Sequence, residues 1–463
     1  MLAALVSVLA LSAPAITSAA ESPNGARAAV GRSSAPTLVD GAPCAEVAHF
    51  TCAYLSVPLD RGGAHPGMLR LRVALADNAA APRGVLMLLT GGPGQPGPGL
   101  APRLVQRLSY LVNDYRLVLI DQRGTGAAAI NCPRLQAEVG SSDVIAPSAG
   151  AVQECADLLG EARNYYTTAD TVADLEDLRR ALGVPQWTLD GVSYGTFVAQ
   201  QYALNHPGRV SRMVLDSVVP QTGALALYED SLHRAGWVLR QACAEQSCGY
   251  DPAADLATVV RQEDNGVGVL NLIIIASIVD PRLIGAQFFP VLAMLHAAAN
   301  GEPSPLRSAV DALSSGDGTL PEEFSSGLHI ATICADLDEL PWGESSTPLA
   351  HRDEAIARAL SKVDPAYVWP FEPKTTVEQA LVSACRYWPP SRTNSTPRTD
   401  LLAMPVLLLA GDRDLSTPLE WATAQAARTP RGQLVVINGM GHSIQGRNAT
   451  GDAAVRHFLL NPA

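Results

Sequence analysis

The stretch Asp190-Gly191-Val192-Ser193-Tyr194-Gly195 decides the fold that we predict from this sequence. Trp187–Leu189 before it has the β-branched and apolar residues of a short buried strand, and Tyr194–Ala203 after it is suited to a helix. Gly-x-Ser-x-Gly between a strand and a helix is typical of a nucleophile elbow, a sharp turn that holds the serine hydroxyl out of the sheet. We predict that Ser193 is a nucleophile; the alternative is a glycine-rich turn with an ordinary serine.

Apolar strands alternate with helices in both terminal parts of the chain. Gly84–Leu89 is continuously apolar and Arg116–Asp121 is nearly so, as in strands that are covered on both faces. Further strand patterns lie at 69–75, 210–215, 405–410 and 433–437, and helical patterns at 170–182 and 452–460. This alternation predicts an α/β fold with a mostly parallel sheet and helices on both faces.

The alternation stops for about 180 residues in the middle of the chain, where only helical patterns occur. We therefore predict that one sheet domain is interrupted by a mostly helical cap. The expected organisation is a first part of the core at 44–221, the cap at 222–399 and a second part of the core at 400–463.

The first residues are typical of an export signal. Leu2–Leu11 is an apolar run too short to span a bilayer, and small residues follow it up to Ala20. We expect a signal peptide at 1–20, cleaved near Ala20, a flexible leader at 21–43, and a secreted, extracellular protein. A buried N-terminal helix is the alternative.

Eight cysteines in an exported chain predict four disulfides. Proximity in the sequence favours the pairs Cys44–Cys52, Cys132–Cys155 and Cys243–Cys248, which leaves Cys334 to pair with Cys385. No Cys-x-x-Cys pair and no histidine cluster has the spacing of metal ligands, so we expect neither a metal nor a cofactor.

The charge of the chain limits its partners. The net charge is −12 and the 33 basic residues form no run, which argues against nucleic acid and anionic membrane surfaces. We expect a monomer that acts on a peptide or a small molecule, without stable membrane insertion once the signal has been removed.

Two loops that follow the last strands offer partners for Ser193. Asp412 and Asp414 come after the strand at 405–410, and His442 lies between Gly441 and Ser443 after the strand at 433–437. Catalytic groups collect at the carboxyl edge of parallel strands, and serine, acid, histidine is the chain order of the α/β-hydrolase fold. We predict Asp414 as the acid, because Asp412 directly follows a glycine, where a loop-shaping Asx turn is the alternative.

A glycine-rich loop after Leu89 offers the second half of an oxyanion hole. Thr90-Gly91-Gly92-Pro93-Gly94 lets backbone N–H groups approach a substrate carbonyl oxygen. We expect the N–H groups of Gly92 and Tyr194 to form the hole. The alternative is a plain turn; the motifs of phosphate loops are absent from the sequence.

These motifs resemble those of a known family. Gly91–Gly94 after a strand, then Asp121–Gly126, then Gly191–Gly195 is similar to the proline iminopeptidase branch of the α/β-hydrolases, and above all to its secreted actinobacterial tripeptidyl aminopeptidase group. The resemblance covers about 44–220 and 400–460. Two residues depart from it: Thr90 stands where the family usually has histidine, and Ser217 where glycine is expected.

The resemblance implies a helical cap over the active site, with carboxylates that bind the free N-terminal ammonium of a peptide. The candidates in this chain are Asp336, Asp338 and Glu339, in an acidic segment of the cap. A carboxylate that pairs with a partly buried cation selects for a free amine. An acidic surface turn is the alternative interpretation.

The leading hypothesis is a secreted serine exopeptidase that releases residues or short peptides from N-termini through an acyl-enzyme on Ser193. The second hypothesis is a carboxylesterase, lactonase or amidase that uses the same triad on small molecules. The third is a binding protein with a hydrolase fold, against which the intact Ser193, Asp414 and His442 argue.

Overall fold

A computed structural model describes residues 35–279, 290–314, 318–337, 339–392 and 402–461. The predicted signal peptide, most of the predicted leader and Asp338 lie outside these residues. Among the helices of the described ranges, none combines the length and the apolar character that a membrane span requires.

A nine-stranded sheet forms the centre of the described chain. Its strands are β1 (Leu38–Pro43), β2 (Phe50–Pro58), β3 (Met68–Ala76), β4 (Val85–Leu89), β5 (Arg116–Ile120), β6 (Trp187–Val192), β7 (Val210–Asp216), β8 (Val406–Gly411) and β9 (Gly432–Ile437), in the spatial order β1-β2-β3-β5-β4-β6-β7-β8-β9. The first three pairings in this order are antiparallel, and all pairings from β5 to β9 are parallel. The prediction of a mostly parallel α/β sheet is therefore confirmed.

The α-helices fall into two groups within the described residues. Those of the core are α1 (Ala101–Arg107), α2 (Pro133–Val139), α3 (Ala149–Leu159), α4 (Thr168–Ala181), α5 (Tyr194–Asn205), α16 (Leu419–Ala427) and α17 (Ala449–Leu460). Those between β7 and β8 are α6 (Glu229–Gln246), α7 (Pro252–Glu263), α8 (Gly266–Val279), α9 (Val291–Ala299), α10 (Ser304–Ser314), α11 (Ser326–Asp336), α12 (Arg352–Leu360), α13 (Pro365–Val368), α14 (Thr375–Glu378) and α15 (Ala380–Tyr387).

Alternate residues of the buried strands serve two apolar layers. In β4, Leu86 and Leu88 pack with side chains of α1 and α17, whereas Val85 and Met87 pack with those of α4 and α5. Strands covered on both faces must be apolar throughout, which is the pattern that the sequence shows at 84–89. Side chains of the cap helices join the second of these layers, so the cap shares a core with the sheet.

The prediction of a flexible leader is wrong for its last residues. Residues 38–43, expected to be flexible, form β1 and pair with β2 at the edge of the sheet. Apart from the half-buried Leu38, the side chains of β1 are exposed, so the strand lacks the apolar alternation that would have predicted it. Its backbone hydrogen bonds to β2 and the adjacent Cys44–Cys52 disulfide hold it instead.

All eight cysteines form disulfides, in the four pairs predicted from the sequence: Cys44–Cys52, Cys132–Cys155, Cys243–Cys248 and Cys334–Cys385. The last pair links α11 to α15 and so joins two helices of the cap. The cap also contacts the glycine-rich loop after β4, because the Ser325 N–H donates a hydrogen bond to the Gly94 carbonyl at 3.0 Å.

Candidate active site

Ser193 lies in the sharp turn between β6 and α5, with φ 56° and ψ −127°. A positive φ is unfavourable for a serine and persists where the surroundings enforce it. Here the turn is packed against backbone on two sides: a Cβ on Gly191 would collide with the Gly195 carbonyl, and one on Gly195 with the Leu89 carbonyl. The two glycines therefore allow the approach that places Ser193 beside the loop after β4.

Asp414 and His442 meet at the carboxyl ends of β8 and β9. The His442 Nδ1–H donates to the Asp414 carboxylate, with distances of 2.9 and 3.1 Å to its two oxygens. The N–H groups of Ser416 and Thr417 and the Thr417 hydroxyl also donate to this carboxylate, at 2.8–2.9 Å. A buried carboxylate held in this way fixes the tautomer of the imidazole and leaves Nε2 as the proton acceptor.

The electrostatics of this pair favour its charged form. Burial lowers the pKa of His442, but the charge and the hydrogen bond of Asp414 outweigh burial and leave the pKa above its ordinary value. Burial raises the pKa of Asp414, yet His442 and the hydrogen bonds from Thr417 bring it below its ordinary value. The site thus stabilises an imidazolium, the species that forms when His442 takes a proton.

Asp412 has a different role. Its carboxylate accepts a hydrogen bond from the Gly439 N–H at 2.7 Å and joins the loop after β8 to the loop after β9. The structure therefore brings Asp414, rather than Asp412, to the imidazole.

Asp216, which is fully buried at the end of β7, anchors the loop of His442. Its carboxylate accepts hydrogen bonds from the N–H groups of Ile444 and Gln445 at 2.9–3.0 Å. Ser217, where the resemblance expects glycine, has φ 59°, and its hydroxyl accepts from the Ser443 N–H at 2.7 Å. This serine adopts a conformation that favours glycine and adds a hydrogen bond to the histidine loop.

Ser193 and His442 line the same cleft. Among the described residues no hydrogen bond joins the Ser193 hydroxyl to His442, an arrangement that is common in unliganded hydrolases, where this hydrogen bond tightens once substrate binds.

The N–H groups of Gly92 and Tyr194 are free to bind an oxyanion. Neither donates to an acceptor within the part of the chain that the structure describes, whereas the neighbouring Gly91 N–H donates to the Gln95 side chain at 3.1 Å. Gly92 and Ser193 line the same two cavities. Thr90, the other residue that differs from the family pattern, donates a hydrogen bond from its hydroxyl to the Gln95 carbonyl at 3.2 Å and so shapes this loop.

Two cavities meet at Ser193. The first, the apolar cavity, has a volume of about 70 Å³ and is lined mainly by Tyr194, Phe197, Val219, Ile333, Leu337 and Trp421. The second, the polar cleft, has a volume of about 250 Å³ and is lined among others by Gln95, Arg103, Arg107, His442 and Arg447. Of these two, His442 lines only the polar cleft.

Asp143, which was not predicted from the sequence, lines both cavities. It lies between α2 and α3 in a loop that is fixed on both sides: the Ser142 hydroxyl bonds to the Asn271 side chain at 2.8 Å, and the Val144 carbonyl accepts from the Ala380 N–H at 2.9 Å. Among the described residues the Asp143 carboxylate has no hydrogen bond and no ion pair. An unpaired carboxylate at a fixed position beside a nucleophile is available to a substrate cation.

The predicted ammonium ligands differ in position. Asp336 is buried at the end of α11 and lines the apolar cavity, and its carboxylate accepts from the Thr168 N–H at 2.6 Å. Glu339 is exposed and is not among the residues that line either cavity, so the structure does not bring it to the site. Asp338 lies outside the described residues.

Comparison with known proteins agrees with this geometry. A family model of the α/β hydrolase fold matches residues 84–242, and a second, described as TAP-like protein, matches residues 370–463. Together they cover more than half of the chain and include Ser193, Asp414 and His442. The chain is a TAP-like α/β-hydrolase. The family resemblance drawn from the motifs is thereby confirmed.

Three relatives show how far the similarity extends. Tripeptidyl aminopeptidase of Streptomyces lividans is 24% identical in an alignment that covers 85% of this hydrolase and 78% of the relative. Putative hydrolase YuaR of Escherichia coli is 25% identical over 89% of this chain and 86% of its own. A probable proline iminopeptidase of Streptomyces coelicolor is 34% identical over 30% of this chain and 34% of its own.

The two aspartates of the loop after β8 provide a matched test. Asp414→Asn should lower kcat about ten-thousandfold, because the amide favours the wrong tautomer of His442. Asp412→Asn removes a carboxylate two residues away and should lower kcat less than about tenfold, since it alters one loop contact. Steady-state hydrolysis of a p-nitrophenyl ester measures both variants. A larger loss for Asp412→Asn would show that the acid is wrongly assigned.

Asp190, three residues before Ser193, is a buried carboxyl group. Its Oδ1 accepts from the Gln445 side chain at 2.9 Å, whereas no described group bonds to its buried Oδ2. Burial raises the pKa of Asp190 to about 7. Because the folded state holds this proton more tightly than the unfolded state, the free energy of unfolding decreases as the pH rises from about 4 to 7.

Relative to the wild type, Asp190→Asn should therefore stabilise the hydrolase more at pH 8 than at pH 5. The amide oxygen keeps the bond from Gln445 and carries no charge, so we expect the difference in Tm between variant and wild type to increase by about 2–4 °C between the two pH values. Thermal unfolding at both pH values measures it, with Asp157→Asn, at an exposed carboxylate, as control. A difference that stays constant, or decreases with pH, would contradict the assignment.

Proposed function

We propose that this hydrolase is a secreted serine exopeptidase that cleaves residues or short peptides from the N-termini of its substrates. The observation that carries the proposal is the set of polar groups in the apolar cavity. Asp143 and Asp336 contribute carboxylates to it, and its lining contains no lysine or arginine. A free N-terminal ammonium group has three donors and no acceptor, so it fits such a lining.

His329 adds a third acceptor. Its Nδ1–H donates to the Pro93 carbonyl at 2.9 Å, which leaves Nε2 as an acceptor; this buried atom has no partner among the described groups. Burial lowers the pKa of His329, so the ring is neutral near pH 7 and does not repel a cation. A buried acceptor without a donor is costly, and a bound ammonium would supply the donor.

The proposed reaction uses the triad and the two free N–H groups. The Ser193 hydroxyl attacks the carbonyl carbon of the scissile amide while His442 Nε2 takes its proton, and the N–H groups of Gly92 and Tyr194 stabilise the resulting oxyanion. The imidazolium then gives the proton to the leaving amine as the carbon–nitrogen bond breaks, which leaves an ester on Ser193. Water attacks this ester while His442 takes one of its protons. His442 then returns this proton to the Ser193 oxygen as the ester bond breaks, which releases the N-terminal fragment as a carboxylic acid.

The relatives and the disulfides support the finer assignment. Relatives named tripeptidyl aminopeptidase and proline iminopeptidase act at N-termini, as their names state. Four disulfides are typical of proteins that fold outside the cytoplasm, which agrees with the export signal expected at 1–20.

A free amine should therefore be required for efficient cleavage. Peptides with a free N-terminus should exceed their N-acetylated forms in kcat/KM by about a hundredfold, because acetylation removes the positive charge that the Asp143 carboxylate would bind. Asp143→Asn should reduce this ratio to about tenfold or less, since it removes the carboxylate that no other described group occupies. Mass spectrometry of the products measures both rates.

Glu339→Gln is the matched control, because it neutralises an exposed carboxylate that lines neither cavity and should leave the ratio unchanged. Ser193→Ala gives the background rate. Equal cleavage of free and acetylated peptides by the wild type would contradict the exopeptidase assignment and would favour an esterase, lactonase or amidase that uses the same triad.

A further inference from the structure

The polar cleft has an electrostatic character opposite to that of the apolar cavity. Three arginines line it together with Ser193 and His442: Arg103, Arg107 and Arg447. The apolar cavity, which shares Ser193 with it, has no arginine in its lining. A leaving fragment that takes its proton from His442 within the polar cleft would lie beside these arginines.

Two of these arginines form hydrogen bonds within the protein. Arg447 donates to the His442 carbonyl at 2.7 Å and to the Ile278 carbonyl at 2.6 Å, and Arg107 donates to the Ser443 hydroxyl at 2.9 Å. Both therefore hold the segment that carries the catalytic histidine. The charge of Arg107 remains in the cleft, because a hydroxyl oxygen does not neutralise a guanidinium.

Arg103 is different. It is exposed, and within the part of the chain that the structure describes its guanidinium has no hydrogen bond and no ion pair. Arg103 and Arg107 are four residues apart on α1, so they lie on the same face of the helix. All three arginines line the polar cleft. Burial lowers the pKa of Arg107, and the positive charges of Arg103 and Arg447 lower it further.

The carboxyl groups near the arginines partly offset the charge of Arg107. Asp216 and Asp452 both act on it electrostatically, while Asp216 also accepts hydrogen bonds from the histidine loop and Asp452 accepts one from the Gly446 N–H at 2.7 Å. Asp190 lies buried in the wall of the cleft, and Asp143 stands at its border with the apolar cavity. No described carboxylate pairs with Arg103, so its charge is available to a ligand.

We propose that Arg103, supported by Arg107, binds a carboxylate of the leaving fragment and makes this hydrolase selective for substrates that carry one there. The C-terminal carboxylate of a short peptide and an acidic side chain beyond the scissile bond both supply this group. The inference rests on the proposed function for its peptide substrates, whereas its electrostatic basis applies to any leaving group. A planar guanidinium suits a carboxylate because it can donate two parallel hydrogen bonds.

The test compares leaving fragments that differ only in charge. The peptide substrates are tetra-alanine, its C-terminal amide and the amide of Ala-Ala-Ala-Asp, which separate the two sources of the carboxylate. The ester substrates are 4-acetoxybenzoate and 4-acetoxybenzamide, whose leaving phenols carry a carboxylate or a neutral amide. The quantity measured is the ratio of kcat/KM for the charged and the neutral member of each pair.

For a pair whose carboxylate reaches Arg103, the ratio of kcat/KM for the charged over the neutral substrate should be about tenfold higher in the wild type than in Arg103→Gln. In Arg103→Glu the neutral substrate of that pair should be hydrolysed faster than the charged one. Arg261→Gln, which removes an exposed arginine from α7, is the control and should keep the wild-type ratio. Added salt should lower the wild-type ratio, because the contact is exposed. The tetra-alanine pair and the Asp amide show which carboxylate is bound.

Wild-type ratios that Arg103→Gln leaves unchanged in every pair would overturn the inference. Failure of the proposed function is a separate result: a wild type that cleaves no peptide but hydrolyses the esters would contradict the exopeptidase assignment, and the ester pair would then decide whether Arg103 binds a carboxylate.

Discussion

The close packing of the β6–α5 turn against the end of β4 is the constraint on which the rest of the site depends. Gly191 and Gly195 allow backbone to approach backbone where any side chain would collide. The turn thereby fixes Ser193 at φ 56° and brings it beside the loop that contains Gly92. The cap is attached to that same loop by the hydrogen bond from Ser325 to Gly94. The loop after β4 thus contacts both the turn that carries Ser193 and the cap.

The two sides of Ser193 differ in charge, and this difference gives a direction to the bound substrate. Carboxylates and a neutral histidine lie in the apolar cavity, whereas arginines lie in the polar cleft with His442. A peptide with its ammonium in the cavity and a carboxylate in the cleft would have complementary charges at both ends. The reverse orientation would place like charges together on each side of the scissile bond, which is unfavourable.

The sequence predicted those parts of the molecule whose signals are local. Strands covered on both faces are apolar throughout, and the loops that follow them carry Ser193, Asp414 and His442, so all three could be placed from pattern and chain order. β1 gave no such signal, because pairing and a disulfide hold it rather than burial. Asp143 also could not be predicted, since its role depends on contacts with residues more than 100 positions away. Arg103 and Arg107 had a signal that was overlooked: two arginines four residues apart on a helix that contains no acidic residue.

We propose that the N-terminal amine of the substrate lies in the apolar cavity while its carbonyl carbon is bonded to Ser193. A crystal structure of the hydrolase labelled at Ser193 by a 1-aminoalkyl phosphonate with a free amine tests this most directly. We expect the phosphonyl oxygen within about 3 Å of the N–H groups of Gly92 and Tyr194, and the amine at a similar distance from Asp143, Asp336 or His329 Nε2. An amine that lies in the polar cleft, with an N-acetylated phosphonate labelling Ser193 at the same rate, would contradict it.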